Sequence, residues 1–128
     1  MIALTRVDEP VSSPPLAPLA PPIDAAHLSR MTLGDRSLER EVLALFDRQA
    51  DMLLMRMRKA TPAVAAAAAH TLKGSARGIG AWRVASAAEA VELAASGQAV
   101  GEFKTAVAAL GTAVDETKAA ICEILRAH

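Results

Sequence analysis

The chain has 128 residues, enough for one domain around one modest core. Its 14 Lys and Arg balance 14 Asp and Glu, which argues against a broad electrostatic grip on nucleic acid or anionic lipid. Apolar residues make up 52% of the sequence, yet only Phe46, Trp82 and Phe103 are aromatic, and strand-like alternation is absent, so an all-α domain is predicted.

Residues 1–22 read as an extended, mobile arm. Six of the seven prolines fall between Pro10 and Pro22, where each fixes its own φ and biases its predecessor away from helix. The folded domain is expected over 23–128. Asp24 is placed as the cap of a short helix, about Ala25–Met31. Gly34-Asp35 breaks the chain, and Asp35 opens a longer helix to about Lys59. On that helix Leu38, Val42, Leu45, Met52 and Leu53 are assigned to one apolar face, with Leu43, Ala50, Leu54 and Met57 as a flank that widens it.

Thr61-Pro62 is a helix start, a capping hydroxyl followed by proline at the first helical position. This helix should end near Gly78–Gly80, since glycine supplies the positive φ of many helix termini. Its core face is Ala65, Ala68, Ala69, Leu72, Ala76 and Ile79. The next helix runs from about Ala81 to Ser96, burying Val84, Ala85, Ala88 and Val91, with Gly97 as its stop. A last helix, about Val100–Ala127, repeats Phe103, Val107, Leu110, Val114, Ile121 and Leu125. Gly111 interrupts it at a cost of about 1 kcal/mol relative to alanine, which a close helix contact would explain. Short turns between long helices imply an antiparallel up-down four-helix bundle with a short extra N-terminal helix.

Cys122 is the only cysteine, so no intramolecular disulfide can form. The longest apolar run, Ala63–Ala69, is too short to cross a bilayer, and the N-terminus lacks the apolar core of an export signal, so a cytoplasmic location is expected.

The chemistry concentrates in Ala69–Ala81. At 3.6 residues per turn, His70, Lys73, Gly74 and Arg77 form one stripe opposite the core face. Glycine costs roughly 1 kcal/mol against alanine in a helix interior. Its use one turn after the histidine suits an approach by something large. Lys73 and Arg77 would offer charge-assisted donors to a phosphoryl group, and their charge disfavours imidazolium. No carboxylate lies on this stripe, so no general base is expected beside His70. His27, His70 and His128 lack ligand-type spacing, so no metal site is predicted. No glycine-rich phosphate loop is present. The site reads as a nucleophile whose activating machinery comes from a partner.

The run Ala69-His70-Thr71-Leu72-Lys73-Gly74-Ser75-Ala76, with Gly80-Ala81 ten positions after the histidine, resembles the histidine-containing phosphotransfer (HPt) domains. The likeness extends over roughly residues 24–126. Phe46 and Glu89 or Glu92 are less diagnostic family features, and Arg77 and Trp82 are departures. What the resemblance implies is a phosphorelay intermediate without autonomous catalytic activity. His70 would accept a phosphoryl group from a receiver-domain aspartyl phosphate of a hybrid histidine kinase. It would then pass the group to the receiver of a response regulator. Lys73 would hold phosphate oxygens, Gly74 would leave the approach open, and Arg77 would contact phosphate or partner. Ala63, Ala66 and Ala67 continue the stripe as a small-residue landing surface, extended by Met57 on the preceding helix. No cofactor is expected on this chain; Mg²⁺ would sit in the partner receiver. A freestanding monomer is expected.

Three other readings bear on the same residues. A histidine-kinase dimerisation helix usually carries an acid after the histidine, whereas Thr71 follows here. A bundle that binds or sequesters a receiver without being phosphorylated is the main alternative. A phosphatase lacks a side chain aimed at a water.

Overall fold

The computed structural model describes residues 20–97 and 100–127, with the side chains of 100 and 101 excepted. Most of the proline-rich arm, residues 98–99 and His128 lie outside the described residues. Five helices are present, α1 (Ala25–Met31), α2 (Arg36–Lys59), α3 (Pro62–Ile79), α4 (Trp82–Ser96) and α5 (Val100–Ala127), and no strands among the described residues. No helix of the described residues is long and apolar enough to cross a membrane.

The helix ends follow from local chemistry. The Oδ1 atoms of Asp24 and Asp35 accept from the backbone N–H of His27 and Leu38, at 3.0 Å each. Thr61 does the same for Val64 at 3.5 Å, with Pro62 following it. Each satisfies a donor that the first turn leaves unpaired. Gly80 closes α3 in the left-handed region at φ +78. The N–H of Ala81 then reaches the carbonyl of Ala76, and that of Gly80 the carbonyl of Arg77, the paired bonds of a Schellman ending.

Packing closes α2, α3, α4 and α5 into an antiparallel ring, α3 between α2 and α4, and α5 between α4 and α2. The short α1 lies across α3 at one end. Every core position expected on α3 and α4 is buried. On α5, Val107, Leu110, Val114 and Ile121 are buried, while Phe103 and Leu125 are half-buried against them.

On α2 the expected flank is the core, and of the expected face Leu53 is buried and Val42 half-buried while the rest is in water. Leu43, Phe46, Ala50, Leu53, Leu54 and Met57 form its core stripe, whereas Leu38, Leu45 and Met52 are exposed. The reason is that α2 has neighbours on both sides of its core line. Arg40, Asp47, Asp51 and Arg58 mark the side turned to α5. Arg40 Nη1 donates to the carbonyl of Leu125 at 2.9 Å. Lys118 Nζ stands 3.1 Å from Asp47 Oδ1 and 2.7 Å from Asp51 Oδ2. Leu38, Leu45 and Met52 recur at heptad spacing and fall on the opposite flank, beside α3. With Met55 and, on α3, Val64, they leave large apolar side chains in water.

Gly111 is explained by the same α2–α5 contact. A Cβ built there would stand 2.7 Å from Arg58 Nη2 and 3.8 Å from Leu54 Cδ2, so the missing side chain makes room for the guanidinium.

Candidate functional site

The site is built on the middle of α3. Its apolar side is fixed by Ala65, Ala69, Leu72 and Ala76, all fully buried, so the register of the opposite stripe is set by the core. His70 stands on that outer face with 71% of its side chain exposed. One turn on, a Cβ at Gly74 would meet nothing within 4 Å. No packing contact demands glycine there, so the residue keeps space open beside the imidazole.

The second helix of the site is α4, whose Glu92 reaches across to α3. Glu92 Oε2 lies 2.9 Å from His70 Nδ1, and Oε1 lies 2.6 Å from Lys73 Nζ. One carboxylate is therefore shared between the imidazole and the ammonium. Lys73, then His70, holds the Glu92 carboxyl below the usual glutamate range, against the opposing effect of its partial burial. Lys73 itself has only 15% of its side chain exposed. One turn along both helices, Arg77 Nη2 stands 3.6 Å from Glu89 Oε1, both largely in water. Both cations of the His70 stripe are thus held by carboxylates one turn apart on α4.

The end of α3 is anchored separately. Asp24 N donates to the carbonyl of Gly80 at 2.9 Å, and Trp82 Nε1 donates to Asp24 Oδ2 at 3.0 Å. The Trp82 bond, and then the His27 N–H, keep the Asp24 carboxyl below its ordinary range. His27 places Nε2 2.9 Å from the carbonyl of Arg77, and its ring centroid lies 4.8 Å from that of Trp82. This latch fixes α1 on the α3–α4 turn and so holds the lower end of the His70 stripe in place.

Most of the site residues expected from sequence share this outer face. Ala63, Ala67, His70, Gly74 and Arg77 are exposed, and Ala66 and Lys73 are partly so. Two expectations are corrected. Met57 has 1% of its surface exposed and belongs to the core, so it cannot serve as landing surface. Its exposed counterparts are Met52 and Met55, which sit with Arg56 and Lys59 around a shallow depression at the end of α2. The second correction concerns the missing carboxylate: none lies on the α3 stripe, but α4 supplies Glu92. Lys73 is consequently paired rather than free, and its charge beside the imidazole is offset. Periodicity along α3 carries no trace of a carboxylate that docks from α4. Two cations a turn apart before Gly80-Ala81, and two carboxylates a turn apart after it, were the available signal.

Compared with known proteins, residues 41–120 match a family model described as Hpt domain, a span holding most of α2, all of α3 and α4, and most of α5. Curated proteins and solved structures give no significant match.

Proposed function

The chain belongs to the Hpt domain family, phosphotransfer carriers of two-component signalling, and from that premise we propose that His70 is the phosphoryl acceptor of a relay between two receiver domains. The observation that carries this reading is the exposed imidazole beside an unfilled position, His70 next to Gly74. An attacking nitrogen must reach a phosphorus atom in line with its leaving oxygen, within about 3–3.5 Å, and a side chain at position 74 would crowd the second protein.

His70 supplies the nucleophile through Nε2, since Nδ1 is engaged by Glu92. Lys73 turns from Glu92 toward the equatorial oxygens as negative charge arrives, a charge-assisted contact that matters most in the transition state. Arg77, two turns from His70 and drawn aside by Glu89, serves the partner's surface more than the phosphoryl group. The receiver contributes the acidic pocket and its Mg²⁺, which neutralises the aspartyl phosphate there.

The docking surface consists of Ala63, Ala66, Ala67 and Gly74 on α3 together with the exposed flank of α2, Leu45 and Met52. Small side chains allow close approach, and flexible methionine adapts to two different receivers. The relay takes place in the cytoplasm, needs no second copy of the chain, and involves no nucleic acid or membrane contact.

The reading is tested by incubating the protein with a phosphorylated receiver and Mg²⁺. Wild type should gain phosphate, and Lys73→Ala should gain it about 10-fold more slowly. Binding without labelling would identify a sequestering module instead.

A further inference from the structure

The charges of the chain balance, but they are unevenly spread. α2 and α3 together carry eight of the 14 Lys and Arg and four of the 14 Asp and Glu, whereas α4 and α5 carry four and six. Positive charge gathers in the last three turns of α2. Arg48, Met52, Met55 and Lys59 follow the i, i+4, i+7, i+11 rule and form one stripe, with Arg56 one turn after Met52 beside it. All five are exposed, Met52 by 60% and Met55 by 55%. Met52, Met55, Arg56, Lys59 and Ala60 surround one shallow depression.

The carboxylates of α2 do not neutralise this end. Asp47 and Asp51 lie on the side turned to α5, where Lys118 Nζ holds them at 3.1 and 2.7 Å. Glu41 is exposed but stands two turns before Arg48, beyond Leu45. α3, which follows after Ala60 and Thr61, has no carboxylate, and its first turn adds the positive end of a helix dipole. Cations in a last turn also offset their own helix dipole, and Arg56, Arg58 and Lys59 do so for α2. That role does not extend to Arg48, three turns earlier than Lys59. Nor does it account for two methionines standing in water between the cations.

We propose that the stretch Arg48–Lys59 is a seat for a receiver whose docking surface sets carboxylates around an apolar centre, and that this charge pattern selects among receivers. The inference rests on the relay reading and adds to it the chemistry of the partner. Met52 belongs both to this seat and to the flank assigned to docking, so the two surfaces are continuous. The methionines meet the partner's apolar centre and adapt to its shape. The cations, in water at the rim, steer the approach over a Debye length, ~10 Å at about 0.1 M salt. They act on the association rate, while the phosphoryl step stays with His70. Exposed ion pairs add little to the lifetime of a complex, which suits a carrier that must leave each receiver.

The probe is an unphosphorylated receiver domain, the tightest binder of the wild type among those of the source organism. Its association is followed from about 50 to about 300 mM NaCl. The wild-type rate should fall about 10-fold across that range. Arg56→Glu/Lys59→Glu should associate about 10-fold more slowly than wild type at low salt and converge on it at high salt. Lys104→Glu, a reversal in an exposed residue of α5, should stay within about 2-fold of wild type. Reversal at a helix end weakens the fold, so Arg48→Gln, inside the helix, is measured as well and should lose about 3-fold. Replacing the receiver's acidic residues with lysine should restore the rate of the charge-reversed variant. A salt-independent rate, an equal loss in Lys104→Glu, or no receiver bound would overturn the proposal. So would wild-type binding to phosphatidylserine vesicles that the double variant loses while receiver association is unchanged, which would assign the seat to a membrane surface. A receiver that binds with the expected salt dependence but never labels His70 would uphold the charged seat and overturn the relay reading alone.

Discussion

Gly74 follows His70 by one helical turn, and a Cβ at its position would meet nothing within 4 Å. The fold thus gives up helix stability at a position where packing asks for none. Gly74→Ala is expected to raise stability by about 1 kcal/mol in thermal unfolding. Gly74→Leu should keep the helical signal but slow phosphoryl transfer at least 10-fold, by obstructing the approach to within about 3–3.5 Å. Unchanged transfer in Gly74→Leu would show that the open position is not there for access.

A second glycine has the opposite character. At Gly80, φ is +78 and a Cβ would stand 2.9 Å from Asp24 Cβ and 3.0 Å from its carbonyl oxygen. Gly80→Ala should therefore destabilise by about 2 kcal/mol or more, from left-handed strain plus the clash. Because Asp24 also holds Trp82, its fluorescence should change as α1 loosens.

The two methionine environments on α2 separate docking from folding. Met52→Glu lies in water and should leave the melting temperature nearly unchanged, while weakening receiver binding about 10-fold if that flank is covered. Met57→Ala empties a buried site and should lower stability by about 2–5 kcal/mol. Titration calorimetry with a receiver, paired with denaturation, checks both.

Glu92 ties the site to acid stability. Its folded-state pKa lies below the unfolded value, so its contribution is present above the unfolded value. That contribution is lost as pH falls through the folded one. The stability difference between wild type and Glu92→Gln should be full at neutral pH and shrink in acid, below the ordinary carboxylate range. A difference that persists undiminished would mean that the ion pair with Lys73 does not stabilise the fold.

Much of this was legible in the residues. Caps such as Asp24, Asp35 and Thr61-Pro62 act over three or four residues, so local chemistry sets helix limits, and alanine-rich α3 and α4 have one unambiguous apolar side. On α2 the hydrophobic pattern is too broad to choose a face. Both the Leu43–Met57 set and the Leu38–Met52 set have helical spacing, and only the position of α5, marked by Lys118 and Gly111, decides between them. The part of the site on α3 was visible because His70, Lys73, Gly74 and Arg77 share one helix. Glu92 and the Asp24–Trp82 latch depend on how separate helices dock, and periodicity along one helix does not report that.

The most direct test is labelling by a phosphorylated receiver in the presence of Mg²⁺, comparing wild type with His70→Gln. Wild type should acquire a phosphate that is labile to acid and stable to alkali, and His70→Gln, with unchanged helicity, should acquire none. Full labelling of His70→Gln would contradict the assignment of His70 as the phosphoryl acceptor.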